Sequence, residues 1–291
     1  MKQVDLHVHS NKSDGTYSPS ELVDYALQKG LSAFALTDHD TTAGLSEAIT
    51  YANALTHEGK PSVEVVPGVE FSTKYEEKDV HVLGLFIHYE NDAFQSKLQA
   101  FVNARIERNK KMCRNLQEAG IDITYEKLLA ELSDGESVIT RAHYAAYLQK
   151  HGYVKSRADA FARYVGDHCP YFVPREKVSP FQAVDLIRQA GGISVLAHPP
   201  LYHMGKDRLD TLVARLKEHG LMGIETLYCS YTGQDERDMM RLADKYDLLP
   251  SGGSDFHGDN KPGLDLATGY GKLFIPDSYL NGIRQAAAEW S

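Results

Sequence analysis

Asp5-Leu6-His7-Val8-His9 sets two imidazoles two residues apart, and in an extended strand that spacing points both from one face. Two ring nitrogens on one rigid element can share a cation. The same residue types recur in short clusters: Thr37-Asp38-His39-Asp40, Val69-Glu70, Val80-His81, Ala197-His198-Pro199 and Ser254-Asp255-Phe256-His257. Each ends or lies within an apolar run that reads as a strand. Histidine and carboxylate at successive strand ends are what a site for more than one divalent ion requires. Imidazole suits zinc, manganese and iron, carboxylates suit harder ions, and a central carboxylate can bridge two of them. A single His-x-His would be weak evidence, and a lone His81 on an apolar strand would read as a core residue; the repetition carries the inference. No ligating cysteine pattern accompanies these clusters, which favours hydrolytic ions over a structural zinc. Nor is there a Gly-x-Ser-x-Gly or a cysteine with an evident partner, so covalent catalysis is the weaker expectation.

The elements that must carry these residues follow a βα rhythm. Strands are predicted at Val4–Val8, Ala33–Thr37, Val63–Val69 and Val80–His88, with helices at 18–29 and 45–58; Ser18-Pro19 with Glu21 opens the first of these. From about Asp92 to Val165 the sequence reads as helices only, broken at glycines. The rhythm then resumes, with strands at Ile193–Ala197, Gly223–Leu227, a short run into Ser251-Gly252-Gly253-Ser254, and a last one at 272–275. This predicts a (β/α) barrel of residues 1–91 and 176–291 interrupted by a helical cap of residues 92–175. In such a barrel the chemistry lies at the C-terminal ends of the strands, where the histidines fall.

Composition sets the outer bounds. The chain has 291 residues, 42% of them hydrophobic and 24% charged, the balance of an ordinary globular protein. Its net charge of −9 argues against broad binding of duplex DNA. No apolar run is long enough to span a membrane, and the first residues lack the apolar segment of a signal peptide, so a cytoplasmic protein is expected. Cys113, Cys169 and Cys229 are odd in number and far apart, and read as reduced thiols. Nothing in the sequence sets the oligomeric state.

The motifs DLHVHSNKSDGTYSP, ALTDHDTTAG, PGVEFS, HVLG, VLAHP and SGGSDFHG together resemble those of the PHP (polymerase and histidinol phosphatase) family of metal-dependent phosphoesterases, in the family's order and over nearly the whole chain except the insertion. The resemblance implies a distorted seven-stranded barrel with two or three divalent ions, manganese expected, with zinc, iron or magnesium as alternatives. It makes His7 and His9 ligands of a first ion, with Glu70 and Asp255; Glu70 would bridge. His81 and His198 would serve a second ion, and Asp14, His39 and His257 a third. Asp14-Gly15 alone would be a turn signal. Asp38 and Asp40 read as outer or capping groups that could fix an imidazole's tautomer. The implied reaction is attack of a bridging hydroxide on a phosphate monoester, with Glu70, His198 and Asp255 at the reacting centre. His203 is the candidate for protonating the leaving group.

Outside the metal motifs, Thr140-Arg141-Ala142-His143, Pro170-Tyr171-Phe172-Val173-Pro174, Gly223-Ile224-Glu225 and the Ser251–His257 run resemble the subgroup that includes a 3′,5′-nucleotide bisphosphate phosphatase and a 5′-to-3′ exoribonuclease. The implied substrate is a small phosphorylated nucleotide or a short RNA, with histidinol phosphate as a further alternative. Arg141 offers a planar donor fork for a phosphate and His143 a second donor, against a reading of Arg141 as a surface helix residue. Tyr171 is expected to pack between cap and barrel rather than stack on a base. Arg105, Arg108, Lys110, Lys111 and Arg114 read as a solvated helix face. Asp167-His168-Cys169, Pro200-Leu201 and Cys229-Ser230 depart from the subgroup's pattern and leave the metal residues intact.

Overall fold

The computed structural model describes residues 2–132, 138–166, 168–173 and 178–290. Asp167, Pro174 and the boundary expected between residues 175 and 176 lie outside them. The order is β1 (Gln3–Val8), α1 (Pro19–Gln28), β2 (Ala33–Leu36), α2 (Leu45–His57), β3 (Glu64–Tyr75) and β4 (Lys78–Leu85). The cap follows: α3 (Asp92–Glu118), α4 (Tyr125–Ala130), α5 (Arg141–Lys150) and α6 (Arg157–Ala160), which runs into a π-helical turn, Phe161–Val165. The barrel resumes with α7 (Pro180–Gln189), β5 (Ile193–Ala197), α8 (Lys206–His219), β6 (Gly223–Tyr228), α9 (Gly233–Tyr246), β7 (Leu249–Gly253), β8 (Ile275–Pro276) and α10 (Asp277–Trp290).

The helices start where side chains satisfy their first amides. Ser18 with Glu21 and Ser179 with Gln182 form capping boxes, each with proline at the first helical position. The strands form one sheet in the order β7-β6-β5-β4-β3-β2-β1-β8. Among the described residues the count is eight, not seven, because the short run at 272–275 resolves into a two-residue strand antiparallel to β1. A second departure concerns β4. Only Glu76 and Glu77 join it to β3, a connection too short for a crossover, so the two pair as an antiparallel hairpin with Glu76 at φ 51°. The start of β4, not its end, therefore lies at the chemical end of the barrel, and His81 lies there.

Alternate strand residues feed two cores. Phe34, Leu36, Val80, Val82 and Leu196 pack outward against the helices, whereas Ala33, Ala35, Leu83, Leu85, Val195 and Ala197 join an inner cluster with Leu280 and Ile283 of α10. The sheet closes beyond β7: Asp255 N donates to His7 O at 2.9 Å and His9 N to Phe256 O at 3.0 Å. The close approach demands glycine, since a Cβ at Gly253 would stand 2.1 Å from that of His7.

The insertion has its own apolar cluster, including Met112, Leu116, Ile139, Tyr144 and Leu148, while Phe94 and Leu98 at the start of α3 belong to the barrel's outer core. Polar links tie it to the barrel around the strand ends. Arg105 pairs with Asp40, Val138 N donates to Lys12 O at 2.9 Å, and Arg157 Nη1 donates to Asn260 Oδ1 at 2.7 Å.

Candidate metal centre

Strand geometry aims each group at one point. Leu6 belongs to the inner cluster and Val8 to the outer, and the register of β1 slips between Asp5 and Val8, a bulge that turns His7 inward beside Leu6. His9 follows two residues on. Glu70 and His81 alternate with outward neighbours on β3 and β4 and so face in. His198 and Asp255 leave β5 and β7 in left-handed backbone, φ 33° and 55°, a cost that side-chain residues bear where a site fixes them.

Glu70 is the hub. Its Oε2 lies 3.2 Å from Nε2 of both His7 and His9 and 3.0 Å from His39 Nδ1; its Oε1 lies 2.8 Å from His81 Nδ1 and 3.1 Å from His198 Nε2. Asp255 Oδ1 stands 3.4 Å from His7, 3.2 Å from His9 and 3.4 Å from His257. Asp14 Oδ1 is 3.1 Å from His257 Nε2 and 3.8 Å from His39 Nε2. All nine residues singled out from the sequence thus converge. Three overlapping sets could each hold an ion: His7, His9, Glu70 and Asp255; His39, Glu70 and His81; and His9, Asp14, His39 and His257.

Burial alone would raise these carboxyls, yet the neighbouring histidines and Lys261 outweigh it. Glu70 is held well below the carboxylate range by His39 and His7, Asp14 by His39 and His257, and Asp255 by Lys261 and His7. Burial disfavours a charged His9, but the carboxylates of Asp255 and Glu70 beside it push it up to about 9. His39 goes the other way, driven well below the imidazole range by burial. The residues fit divalent ions on a further ground. His7 Nε2, His9 Nε2, Asp14 Oδ1, His39 Nδ1, Glu70 Oε2 and His198 Nδ1 are buried without a hydrogen-bond partner, despite crowding together. Orphaned nitrogen and oxygen ligands aimed at one another are what a cation satisfies.

A cavity of about 290 Å³ opens on this cluster, lined by Glu70, His198, Tyr228 and Asp255 among others. It joins a second, of about 190 Å³, through Asp14, His39, His81 and Ala142, which border both; Arg105, Arg108 and Arg141 line the second.

The PHP domain model matches residues 5–169. This chain belongs to the PHP domain family. Among relatives of this PHP protein, a 5′-3′ exoribonuclease of Haemophilus influenzae is 39% identical over 88% of this chain and 90% of its own. A 3′,5′-nucleoside bisphosphate phosphatase of Chromobacterium violaceum is 35% identical over 91% of each chain. A structure described as a metal-dependent phosphoesterase from Bifidobacterium adolescentis superposes with a TM-score of 0.82 at 31% identity, covering 97% of this chain and 95% of that one. The PHP protein is accordingly a phosphoesterase.

Several expectations need correction. Arg105 and Arg108 are not a solvated face: they are 5% and 9% exposed, turned into the joint between cap and barrel, with Arg105 on Asp40. Asp38 and Asp40 are outer groups: Asp38 reaches the His9 ring only through the Ser13 hydroxyl, 3.5 Å from His9 Nδ1, and Asp40 accepts from Ser72 N at 3.0 Å and pairs with Arg105. Asp38 takes Ser10 N at 2.8 Å and both the Ser10 and Ser13 hydroxyls, fixing the loop that carries Asp14. The tautomer of His7 is instead set by Glu225, whose Oε1 accepts from Nδ1 at 3.0 Å while its Oε2 accepts from His198 N at 2.6 Å. An acid inside an apolar strand was the signal for Glu225; its partners lie far off in sequence. Tyr228 and Lys261 were not foreseen either. Tyr228 donates to Asp255 Oδ2 at 2.6 Å and Lys261 pairs with the same oxygen, leaving Oδ1 for the histidines. His203 is exposed and lines neither cavity. Tyr171 stacks on Tyr164 within the cap rather than between cap and barrel. Arg141 lies in the cavity wall, its Nη2 3.1 Å from Asp79 Oδ2. Burial lowers the pKa of His143, whose Nδ1 accepts from Thr140 N at 3.0 Å as part of a capping box, so its remaining donor is Nε2.

Proposed function

We propose that this protein hydrolyses phosphate monoesters of small nucleotides, foremost nucleoside 3′,5′-bisphosphates. The observation that carries the reading is the gathering of His7, His9, Asp14, His39, Glu70, His81, His198, Asp255 and His257 beneath a cavity roofed by the arginine-bearing cap. Residues 92–175 act as the cap on a barrel of residues 1–91 and 176–291. Divalent ions held by the nine residues, manganese in this proposal, would acidify a water and offset phosphoryl charge as it builds. The chain's own groups do the rest. Glu225 holds His7 in the tautomer that presents Nε2, and Tyr228 with Lys261 fixes Asp255 to offer one oxygen. Arg141, steadied by Asp79 and by the Phe172 ring 5.4 Å away, presents its fork to a phosphate, while His143, two residues on and outside both cavity linings, would reach it only through Nε2. A cytoplasmic setting belongs to the same proposal, supported by three unpaired cysteines and by the absence, among the described residues, of any helix long and apolar enough to cross a membrane.

The relative from Haemophilus influenzae supports a second reading, stepwise removal of nucleotides from 5′-phosphorylated short RNA. One assay separates them: phosphate release from adenosine 3′,5′-bisphosphate by manganese-loaded protein, beside a 5′-phosphorylated short RNA and histidinol phosphate. Fast release from the bisphosphate with little RNA shortening is expected. Processive liberation of mononucleotides would favour the exoribonuclease, and turnover of histidinol phosphate alone would sink both.

A further inference from the structure

Two large apolar side chains stand exposed at the metal cavity. Phe161 is 39% and Leu201 is 41% exposed, and neither joins any of the three hydrophobic clusters. Each sits in a short turn whose neighbours are anchored. Phe161 opens the π-helical turn of the cap, where Ala160 and Val165 are buried in the cap's core. Leu201 lies in the single 3₁₀ turn after β5, Pro199–Tyr202, where Tyr202 is buried and its hydroxyl donates to Ala197 O. The turns are held and these two side chains are left out. A π-turn inserts one residue into a helix and re-aims the side chains beyond it, and such turns recur at functional sites for that reason.

Both side chains border the chemistry. Phe161 lines the smaller cavity with His39, His81 and Arg141, and Leu201 lines the larger with His81, His198 and Asp255. Tyr270, Phe274 and Trp290, the other large apolar residues exposed among the described residues, line neither. A ligand that answers this arrangement carries an anionic group at the ion cluster and a flat, weakly hydrated group beside it. We infer that Phe161 and Leu201 form a rim that holds the nucleobase of a phosphorylated nucleotide, an inference that rests on the nucleotide reading above. An aromatic face stacks on any base. Among the described residues, the one side-chain amide at the cavity wall is already engaged: Asn260 Oδ1 accepts from Arg157 and its Nδ2 donates to Asp14 O at 2.7 Å. Stacking on the rim holds any base, and purine and pyrimidine nucleotides are handled alike.

The test compares 2′-deoxyadenosine 3′,5′-bisphosphate with its base-free analogue, the 1,2-dideoxyribose 3,5-bisphosphate, on wild-type protein and on Phe161→Ala, Phe161→Trp and Leu201→Ala. Wild-type protein should show a KM about tenfold lower for the nucleotide, in keeping with the strength of base stacking. Phe161→Ala should erase most of that difference, leaving kcat and the base-free substrate unchanged; Leu201→Ala should act the same way more weakly, and Phe161→Trp should restore it. An unchanged ratio in Phe161→Ala, or an equal loss on both substrates, overturns the base rim while leaving the phosphatase reading intact. Failure of wild-type protein to cleave either bisphosphate overturns the nucleotide reading and the rim with it.

Discussion

Glu70 lies within 3.2 Å of a ring nitrogen on five different histidines and belongs to two of the three candidate ion sets, with histidines of the third beside it. Glu70→Ala and His198→Ala should lower turnover more than about 100-fold, beyond what loss of an outer partner costs. The circular dichroism spectrum should stay native, since both residues serve chemistry more than packing. A near-normal rate with full metal occupancy would remove them from the site. Glu225 supplies a graded comparison. Glu225→Gln keeps the shape but can present an amide nitrogen where His7 Nδ1 needs an acceptor, and it weakens the bond to His198 N. Metal affinity measured by calorimetry should fall by about 10- to 100-fold. Unaltered affinity would mean that His7 keeps its orientation without this carboxylate.

At the scale of elements, the closure between β1 and the end of β7 is the joint that sets the distance from His7 and His9 to Asp255. Gly253→Ala drives a methyl into the backbone and Cβ of His7, with no flexible side chain to give way. Overpacking of this kind costs about 1–3 kcal/mol, and here it should lower the melting temperature and the metal content together. Gly282→Ala, in the middle of α10 with its nearest neighbour 3.9 Å away, should instead stabilise by about 0.5–1 kcal/mol through helix propensity. Thermal melts of the two variants check both signs. These joints also mark what the sequence could reveal. His7, His9, Glu70, His198, Asp255 and His257 were legible because each lies at or just beyond the end of a strand predicted from the sequence, and strand ends in a barrel share one rim. The direction of β4 was not legible, because period-two alternation is the same in either direction and only the two-residue link to β3 decides it. Arg105 and Arg108 read as solvated because arginine on a polar helix is usually exposed, and only the docking of α3 against Asp40 buries them. The bulge that turns His7 inward depends on pairing with β2, and so does not appear in the local pattern.

For the molecule as a whole, the cost of the site is a set of buried acids, Asp14, Glu70, Glu225 and Asp255, gathered in a chain that already carries a net charge of −9. Cations that bind only the folded state repay this by mass action, contributing about 2.7 kcal/mol per site when free ion is a hundredfold above its dissociation constant. For a protein of this size that corresponds to roughly 5 °C or more in the melting temperature. Stripping the metal with a chelator should lower the transition by at least that much, and returning manganese should restore it. The cap has an apolar core of its own, with the Tyr144 hydroxyl donating to Asn109 O at 2.7 Å, and none of the candidate ligands lies in it. Calorimetry should therefore place most of the shift in the barrel's transition. Tyr144→Phe, which removes this extra hydrogen bond to a helix carbonyl at a cost of about 0.5–1.5 kcal/mol, should lower cap stability equally with and without manganese. If the Tyr144→Phe defect were instead cancelled by the metal, the cap and the ion cluster would be one energetic unit, and the ions would hold the roof of the cavity as well as its floor.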